Sequence, residues 1–229
     1  MSEELKRLAG EAGVAHVKDG MTVGLGTGST VAYTIRKLAE VVAVRGWKIL
    51  CVATSLASEH LAREVGLPLI SLDEVDGVDV AIDGADEVDP RLNLIKGGGG
   101  AHFREKVVAR AARSVVIVVD ASKIVSVLGT KIAVPVEVHP FGWRQTKVAL
   151  ESLWCKAAIR TTGEEPFRTD NGNYIIDCRF GSIPKPEKLE REINNVPGVL
   201  ENGLFVGLAD LVLVAGSEGV REMTSPPGA

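Results

Sequence analysis

Apolar positions in the first 128 residues alternate between helical spacing and short continuous runs. Leu5, Leu8 and Ala12 recur at helical spacing and predict a first helix over residues 2–18. The run SVVIVV at 114–119 is typical of a strand buried on both faces. Strands that alternate with helices indicate an α/β domain with a mainly parallel sheet. The pattern between these segments predicts strands at 21–25, 47–53, 67–72 and 78–82 and helices at 30–44, 55–65 and 103–112.

The pattern changes after residue 129. A β-α-β-β-α order, with an Asn171-Gly172 hairpin turn, is typical of a ferredoxin-like α+β unit. Its segments are VPVEV, then 143–155, 158–162, 174–180 and 186–195. The later run LVLVAG predicts a strand that rejoins the first sheet, which makes the small unit an insert. We therefore predict an α/β domain of residues 1–128 plus 207–225, an α+β domain of 129–206 and a disordered tail of 226–229.

Composition and charge exclude several classes of protein. With 45% hydrophobic and 24% charged residues, the chain matches soluble globular proteins. The formal net charge is −4 and the basic residues are scattered, so we expect no nucleic-acid partner. We also expect no membrane partner, because no apolar run reaches the roughly 18 residues that span a bilayer. The three cysteines lack C-x-x-C spacing, which argues against disulfides and zinc and favours the cytoplasm.

Three glycine-rich or acidic segments follow predicted strands. In open α/β sheets the ligand crevice lies at the carboxyl ends of the strands, so we expect the three to meet there. The first segment, Gly24 to Thr30, offers amides and hydroxyls at a helix start, where an anion binds favourably; a plain capped turn is the alternative. It matches neither G-x-G-x-x-G nor a P-loop.

The second segment, DGADEVD at 83–89, crowds several carboxylates after a buried strand. Such crowding raises carboxyl pKa values and suits acid/base chemistry, while a Mg²⁺ site and a solvated turn remain alternatives. The third segment, Lys96 followed by four glycines, indicates backbone that approaches a ligand, with a flexible linker as the alternative. Glu105 lies about one turn into the predicted helix 103–112 and Lys123 just after the predicted strand 114–119, and each taken alone is more typical of a surface residue.

Taken in order, GLGTGST, DGADEVD, KGGGGA-x-x-x-EK and DASK closely resemble the type A ribose-5-phosphate isomerase family. The resemblance extends nearly end to end, through TDNGNYIIDC and NNVPGVLENGLF. It implies a Rossmann-like domain with an inserted ferredoxin-like domain, assembled as a homodimer or larger homo-oligomer. It also implies that no metal or nucleotide cofactor is needed. The implied activity is the interconversion of D-ribose 5-phosphate and D-ribulose 5-phosphate through an enediolate, in the non-oxidative pentose phosphate pathway.

The resemblance also implies roles for individual residues. Glu105, nine residues after Lys96, would be the general base, and Lys96 would stabilise charge on the carbonyl oxygen. Asp83 and Asp86 would hold sugar hydroxyls and move protons. Gly100 departs from the family, where alanine is frequent, but the spacing to Glu105 is kept. The implied substrate-binding residues are Thr27, Gly28, Ser29, Thr30, Asp83, Gly84, Ala85, Asp86, Lys96, Gly97, Gly98, Gly99 and Lys123.

Other functions on related folds are the alternatives. An amino-sugar-phosphate deaminase or a phosphogluconolactonase would share the sugar-phosphate substrate class, and a CoA-transferase-like enzyme would share the fold alone. A sugar-phosphate-sensing regulatory domain would keep the phosphate site without catalysis. That domain normally accompanies a DNA-binding helix-turn-helix, for which we find no spare segment or basic patch.

Overall fold

The computed structural model describes residues 3–225. The start of the first predicted helix, residue 2, and the predicted tail 226–229 lie outside the described residues. The helices are α1 (Glu3–Gly13), α2 (Ser29–Arg45), α3 (Leu56–Glu64), α4 (His102–Ala111), α5 (Trp143–Glu151) and α6 (Pro186–Asn194). The strands are β1 (Thr22–Leu25), β2 (Leu50–Ala53), β3 (Val80–Asp83), β4 (Glu87–Val88), β5 (Leu94–Ile95), β6 (Val115–Asp120), β7 (Val134–Val138), β8 (Lys156–Ile159), β9 (Thr161–Thr162), β10 (Glu165–Pro166), β11 (Tyr174–Arg179), β12 (Val199–Asn202), β13 (Leu204–Phe205), β14 (Leu211–Gly216) and β15 (Gly219–Met223).

A six-stranded sheet forms the centre of the larger unit, in the order β15-β14-β6-β3-β1-β2. All its pairings are parallel except that of β14 with the edge strand β15. Strand β14, the LVLVAG run, pairs in parallel with β6, although more than 90 residues separate them. The prediction of a mainly parallel sheet is therefore confirmed.

Both faces of this sheet are buried. On β6, Val116 and Val118 face a core that also contains α1 and α2, whereas Val115, Ile117 and Val119 face a core that contains α4. All six residues of the strand are buried, as the unbroken β-branched run predicts. Helices on both faces leave the carboxyl ends of the strands as the open edge.

The smaller unit has a ferredoxin-like arrangement. Its four-stranded sheet has the order β12-β7-β11-β8, and every pairing is antiparallel. With α5 after β7 and α6 after β11, the chain order is β-α-β-β-α-β. This confirms the α+β prediction for the second half of the chain. The core of this unit includes Ile95 and Leu204, two residues of a separate three-stranded sheet ordered β13-β5-β4.

Two local predictions differ most from the structure. The strand predicted at 67–72 is wrong: Leu69 makes a single bridge to Cys51, and a 3-10 turn begins at Leu72. Pro68 has no N–H to donate, and Ser71 caps the turn instead of extending a strand. The first helix ends at Gly13 rather than near residue 18, because a short 3-10 turn at Val14–His16 follows it.

Candidate active site

The first glycine segment connects β1 to α2 with a tight backbone. A Cβ atom at position 26 would lie 2.1 Å from the Asp83 carboxylate, so only glycine fits there. Gly28 has φ +119°, a region that glycine enters at low cost, and α2 begins directly after it. The amides of the first turn of α2 therefore point out of the carboxyl edge of the sheet, where they favour an anion.

Three hydroxyl residues outside the predicted set support this segment. Thr27 Oγ1 lies 2.8 Å from Thr54 Oγ1 and from Ser55 Oγ, and 3.3 Å from Ser58 Oγ. Ser58 Oγ also donates to the carbonyl of Gly26 at 2.6 Å. Thr54, Ser55 and Ser58 are buried, and Ser55 is the N-cap of α3. The only feature that these three residues share in the sequence is a hydroxyl side chain. Serine and threonine are too common for that feature to have identified them.

The acidic segment divides into two functional parts. Asp83 ends β3 and accepts hydrogen bonds from the amides of Gly84 at 2.7 Å and Thr27 at 3.1 Å. Asp86 accepts one from the Gly98 amide at 2.8 Å. Glu87 instead accepts from three amides of the loop at 129–132, and Asp89 accepts from the amides of Arg91 and Asn93 in its own turn. Asp83 and Asp86 thus face the glycine segments, whereas the other two carboxylates stabilise loops.

The four glycines connect β5 to α4. Gly97 has φ +105°, and a Cβ there would lie 2.6 Å from Nδ1 of the buried His102. Burial, reinforced by the charge of Lys106, lowers the pKa of His102 to about 3, so its ring is neutral. Helix α4 begins at His102 and carries Glu105 in its first turn. The spacing between Lys96 and Glu105 is thus spanned by the glycine run and this first turn.

Lys96, Glu105 and Asp83 form a buried charged cluster, which we call the cavity cluster. The Lys96 ammonium lies 3.0 Å from Glu105 Oε2 and 3.1 Å from Asp83 Oδ1, and it donates to the Gly84 carbonyl at 2.6 Å. The three side chains are at most 8% exposed. One ammonium therefore faces two carboxylates in a region of low dielectric.

This arrangement shifts the pKa values of all three groups. Burial, together with the charge of Asp83, raises the pKa of Glu105 to about 8. Burial also raises the pKa of Asp83, although Lys96 and the two amides oppose that shift. Burial alone would lower the pKa of Lys96, but the two carboxylates outweigh it and raise the pKa. Because a buried net negative charge is costly, Glu105 is mostly protonated near neutral pH and titrates close to it, which suits proton transfer.

A cavity of about 130 Å³ opens beside this cluster. It brings together all three predicted segments and Lys123, with Asp83 lying next to it against Lys96. Val119 and Asp120 also line it and were not predicted as site residues. The lining residues are Thr27, Gly28, Ser29, Thr30, Gly84, Ala85, Asp86, Lys96, Gly97, Gly98, Gly99, Glu105, Val119, Asp120 and Lys123.

The residues that line the cavity offer two kinds of chemical group. The start of α2, with Ser29 and Thr30, offers donors to an anion, and Lys123 adds a positive charge. Glu105 and Lys96 offer a base and a cation to the rest of a ligand. Within residues 3–225, no three His, Cys, Asp or Glu side chains are grouped as a metal site requires. In the same range, no helix combines the length and apolar character needed to cross a membrane.

Comparisons with known proteins identify the family. The family model described as Ribose 5-phosphate isomerase A (phosphoriboisomerase A) matches residues 50–219. Ribose-5-phosphate isomerase A 1 of Oceanobacillus iheyensis is 47% identical, over 95% of this chain and 97% of that protein. The solved structure of ribose 5-phosphate isomerase A from Methanocaldococcus jannaschii is 43% identical with a TM-score of 0.94, covering 98% of this chain and all of that one.

A second solved structure is a D-ribose-5-phosphate isomerase in complex with phospho-erythronic acid. It is 42% identical with a TM-score of 0.94, and it covers 98% of this chain and all of that chain. The two structural matches extend over both units of the fold and over all three segments of the cavity. The chain therefore belongs to the ribose 5-phosphate isomerase A family.

Proposed function

We propose that this chain interconverts D-ribose 5-phosphate and D-ribulose 5-phosphate by proton transfer through an enediolate. The observation that carries the proposal is the cavity cluster, in which Lys96 and Glu105 lie 3.0 Å apart beside a cavity with an anion-binding end. The relatives are named as isomerases of this substrate, which favours this activity over a deaminase, a lactonase or a sensing domain. The reaction belongs to the pentose phosphate pathway.

In this proposal Glu105 is the general base. With the sugar ring open, its carboxylate removes the proton from C2 of the aldose and returns it to C1 of the enediolate. Its raised pKa supports this role, because a base of pKa about 8 holds the proton well enough to take it from carbon and still releases it. Asp83, whose pKa burial also raises, is the group proposed to move a proton between the two sugar oxygens.

Lys96 stabilises the negative charge that develops on the carbonyl oxygen. Its ammonium is already fixed by three oxygen partners, so little reorganisation is needed when the charge forms. Asp86 is held by the Gly98 amide through one carboxylate oxygen, and its role is to bind the sugar hydroxyls. The ligand named with a relative, phospho-erythronic acid, combines a phosphate with a carboxylate, and its planar, anionic carboxylate resembles an enediolate.

The phosphate takes no part in bond breaking. In this proposal the phosphate binds at the start of α2, where Ser29 and Thr30 lie, and Lys123 adds a positive charge that attracts it. Binding energy at this end orients C1 and C2 against Glu105. The remaining residues of the cavity are proposed to contact the bound sugar through their backbone: Thr27, Gly28, Gly84, Ala85, Gly97, Gly98 and Gly99.

We also propose a cytoplasmic homo-oligomer, at least a homodimer. The odd number and wide spacing of the cysteines support a reducing compartment. Phe141, Val148 and Trp154 are 66% to 94% exposed, and exposed apolar side chains of this size support a contact between subunits. For the domain division we retain 1–128 plus 207–225 as the catalytic unit and 129–206 as the small unit.

The direct test uses purified, EDTA-treated protein and ribose 5-phosphate in deuterated water. We expect ketose to form without added metal or nucleotide, and deuterium from solvent to be incorporated at C1 of the ketose. A hydride shift would leave C1 free of solvent deuterium. Absence of ketose, or a product lacking deuterium, would contradict the proposal.

A further inference from the structure

We propose that Arg160, in the small unit, is a positioning residue for the isomerase reaction. It holds two consecutive carbonyls of the glycine run and thereby orients the Gly99 amide and the Asp86 carboxylate toward the substrate. This inference rests on the function proposed above and adds a residue from outside the three segments of the site.

Arg160 contacts the glycine run directly. Its Nη1 atom donates to the carbonyl of Gly97 at 2.9 Å and to that of Gly98 at 3.0 Å. Arg160 directly follows β8, and more than 60 residues separate it from these glycines. A side chain of the small unit therefore contacts the wall of the cavity.

The guanidinium is itself held on a rigid support. Its Nε and Nη2 atoms donate to the two oxygens of Asp177 at 2.9 and 2.5 Å, a bidentate pair. Asp177 lies on β11, which pairs with β8, and the Arg160 amide donates to the carbonyl of Ile175 at 2.8 Å. A planar fork with five donors can bind a carboxylate on one edge and carbonyls on another, which the ammonium of a lysine cannot do.

The peptide between Gly97 and Gly98 is fixed from both sides. Its carbonyl accepts from Arg160, and its amide, that of Gly98, donates to Asp86 Oδ2 at 2.8 Å. A rotation of this peptide would break both hydrogen bonds and release the Asp86 side chain. Arg160 thus orients Asp86 without touching it.

The next peptide presents a donor to the substrate. In a planar trans peptide the N–H points opposite to the carbonyl, so the bond from Arg160 to the Gly98 carbonyl turns the Gly99 amide to the other side. Gly98 and Asp86 border two hollows, the proposed active-site cavity and a second one lined by Arg160, while Gly99 lines the first alone. Within residues 3–225 the Gly99 amide has no acceptor, which leaves it free for a sugar oxygen.

Four consecutive glycines need such external support. Glycine loses more backbone freedom on ordering than any other residue, so the run holds one conformation only if other groups fix it. The Gly97 carbonyl accepts from the Gly100 amide at 3.0 Å, and Phe167 packs against Gly100, where a Cβ would lie 2.6 Å from the ring. Arg160 supplies the charged contact in this group.

The test compares Arg160→Ala with Arg168→Ala. Arg168 lies in the same unit, and like Arg160 it donates to a glycine carbonyl and packs on an aromatic ring, but neither of its hydrogen-bond partners, Gly172 and Tyr174, lines the cavity. We expect Arg160→Ala to lower kcat roughly 10- to 100-fold with a smaller change in KM, as for misplaced groups that orient a substrate. Arg168→Ala should keep kcat within about twofold.

Two further measurements separate positioning from general damage. Millimolar guanidinium chloride should restore part of the kcat of Arg160→Ala and leave that of Arg168→Ala unchanged. The variant Arg160→Lys should regain less than half of the kcat that Arg160→Ala loses. In NMR spectra of protein labelled with ¹⁵N-glycine, the amide resonances of Gly98 and Gly99 should shift from their wild-type positions in Arg160→Ala. They should keep those positions in Arg168→Ala. Wild-type kcat in Arg160→Ala, or unshifted Gly98 and Gly99 amides, overturns this inference.

The same experiment keeps the two proposals apart. If neither the wild type nor Arg168→Ala forms ribulose 5-phosphate, the proposed function fails, and the glycine amides still decide whether Arg160 orients the loop. If both form it and Arg160→Ala matches them, the function stands and the positioning role fails.

Discussion

Two lysines ten residues apart, Lys96 and Lys106, lie in similar surroundings. Each side chain is at most 4% exposed, and each ammonium lies between two acidic side chains. Both ammoniums also lie over the ring of Phe205, at 5.4 and 5.0 Å from its centre. For Lys106 the acidic partners are Glu190 at 3.2 Å and Glu201 at 2.8 Å, a group that we call the anchoring cluster.

The two clusters differ in where their carboxylates lie. In the cavity cluster the carboxylates are 8% and 5% exposed and come from the sheet and helix that line the cavity. In the anchoring cluster they are 14% and 20% exposed and lie on α6 and β12, so Lys106 attaches α4 to the small unit. In the proposed function the more deeply buried cavity cluster serves chemistry, whereas the anchoring cluster joins a helix to the small unit.

Removal of the proposed base should have the largest effect. We expect Glu105→Gln to lower kcat about 10²- to 10⁴-fold with a smaller change in KM, because the amide cannot accept the C2 proton. Ketose formation under initial-rate conditions measures this. Its matched control is Glu190→Gln in the anchoring cluster, which should keep kcat within about twofold and lower the free energy of unfolding by about 1 kcal/mol. Full turnover in Glu105→Gln would rule out the role of Glu105.

Removal of the two ammoniums should separate the clusters next. Lys96→Met should lower kcat about 10²- to 10³-fold, since the charge on the carbonyl oxygen loses its fixed cation. Lys106→Met should mainly lower the free energy of unfolding, by about 3 to 5 kcal/mol, because it leaves partly buried carboxylates unpaired. Kinetics and urea unfolding on both variants measure this contrast. Equal losses of kcat would mean that both clusters act in catalysis.

The pH dependence should give the smallest effect. Glu105, with a pKa raised to about 8 by burial, is mostly protonated at pH 7, so kcat/KM should rise about tenfold between pH 7 and pH 9. Glu201→Gln, in the anchoring cluster, should keep this profile. A flat profile over that range would contradict the assignment of the raised pKa to the catalytic base.

The same pKa has a consequence for stability. The ordinary value is 4.5, so between pH 4.5 and about 8 the folded state holds a proton that the unfolded state has lost. This carboxyl therefore makes the free energy of unfolding fall as pH rises through that window. Glu105→Gln removes the effect, and its stability relative to the wild type should rise with pH over the same range.

Local patterns predicted most of the fold. The β-branched run of β6 and the helical spacing of α2 are long enough to fix the element type, and LVLVAG was correctly expected in the first sheet. Strands β4 and β5 have two residues each, too few for a period, so the three-stranded sheet was not predicted. The apolar run at 67–72 forms only a bridge and a capped turn, because Pro68 lacks an N–H and Ser71 caps the turn.

The candidate site was predicted to a similar degree. Glycines at a strand end and carboxylates after a buried strand are local features, so the sequence marked all three segments of the cavity. Ser58 and Arg160 could not be identified in this way, because a serine or an arginine becomes part of a site only through residues distant in the chain. Glu105 was identified only through the resemblance to the family, because its burial was invisible on a helix of ordinary polarity.

The sequence by itself determined the order of strands and helices, the flexible glycine runs and the kinds of chemical group available. The tertiary structure alone decided that Lys96 lies between Asp83 and Glu105 while Lys106 anchors a helix. The physical reason is that desolvation depends on everything packed around a group, from all parts of the chain. A carboxylate's pKa, and with it the chemistry that it can perform, is therefore a property of the folded molecule.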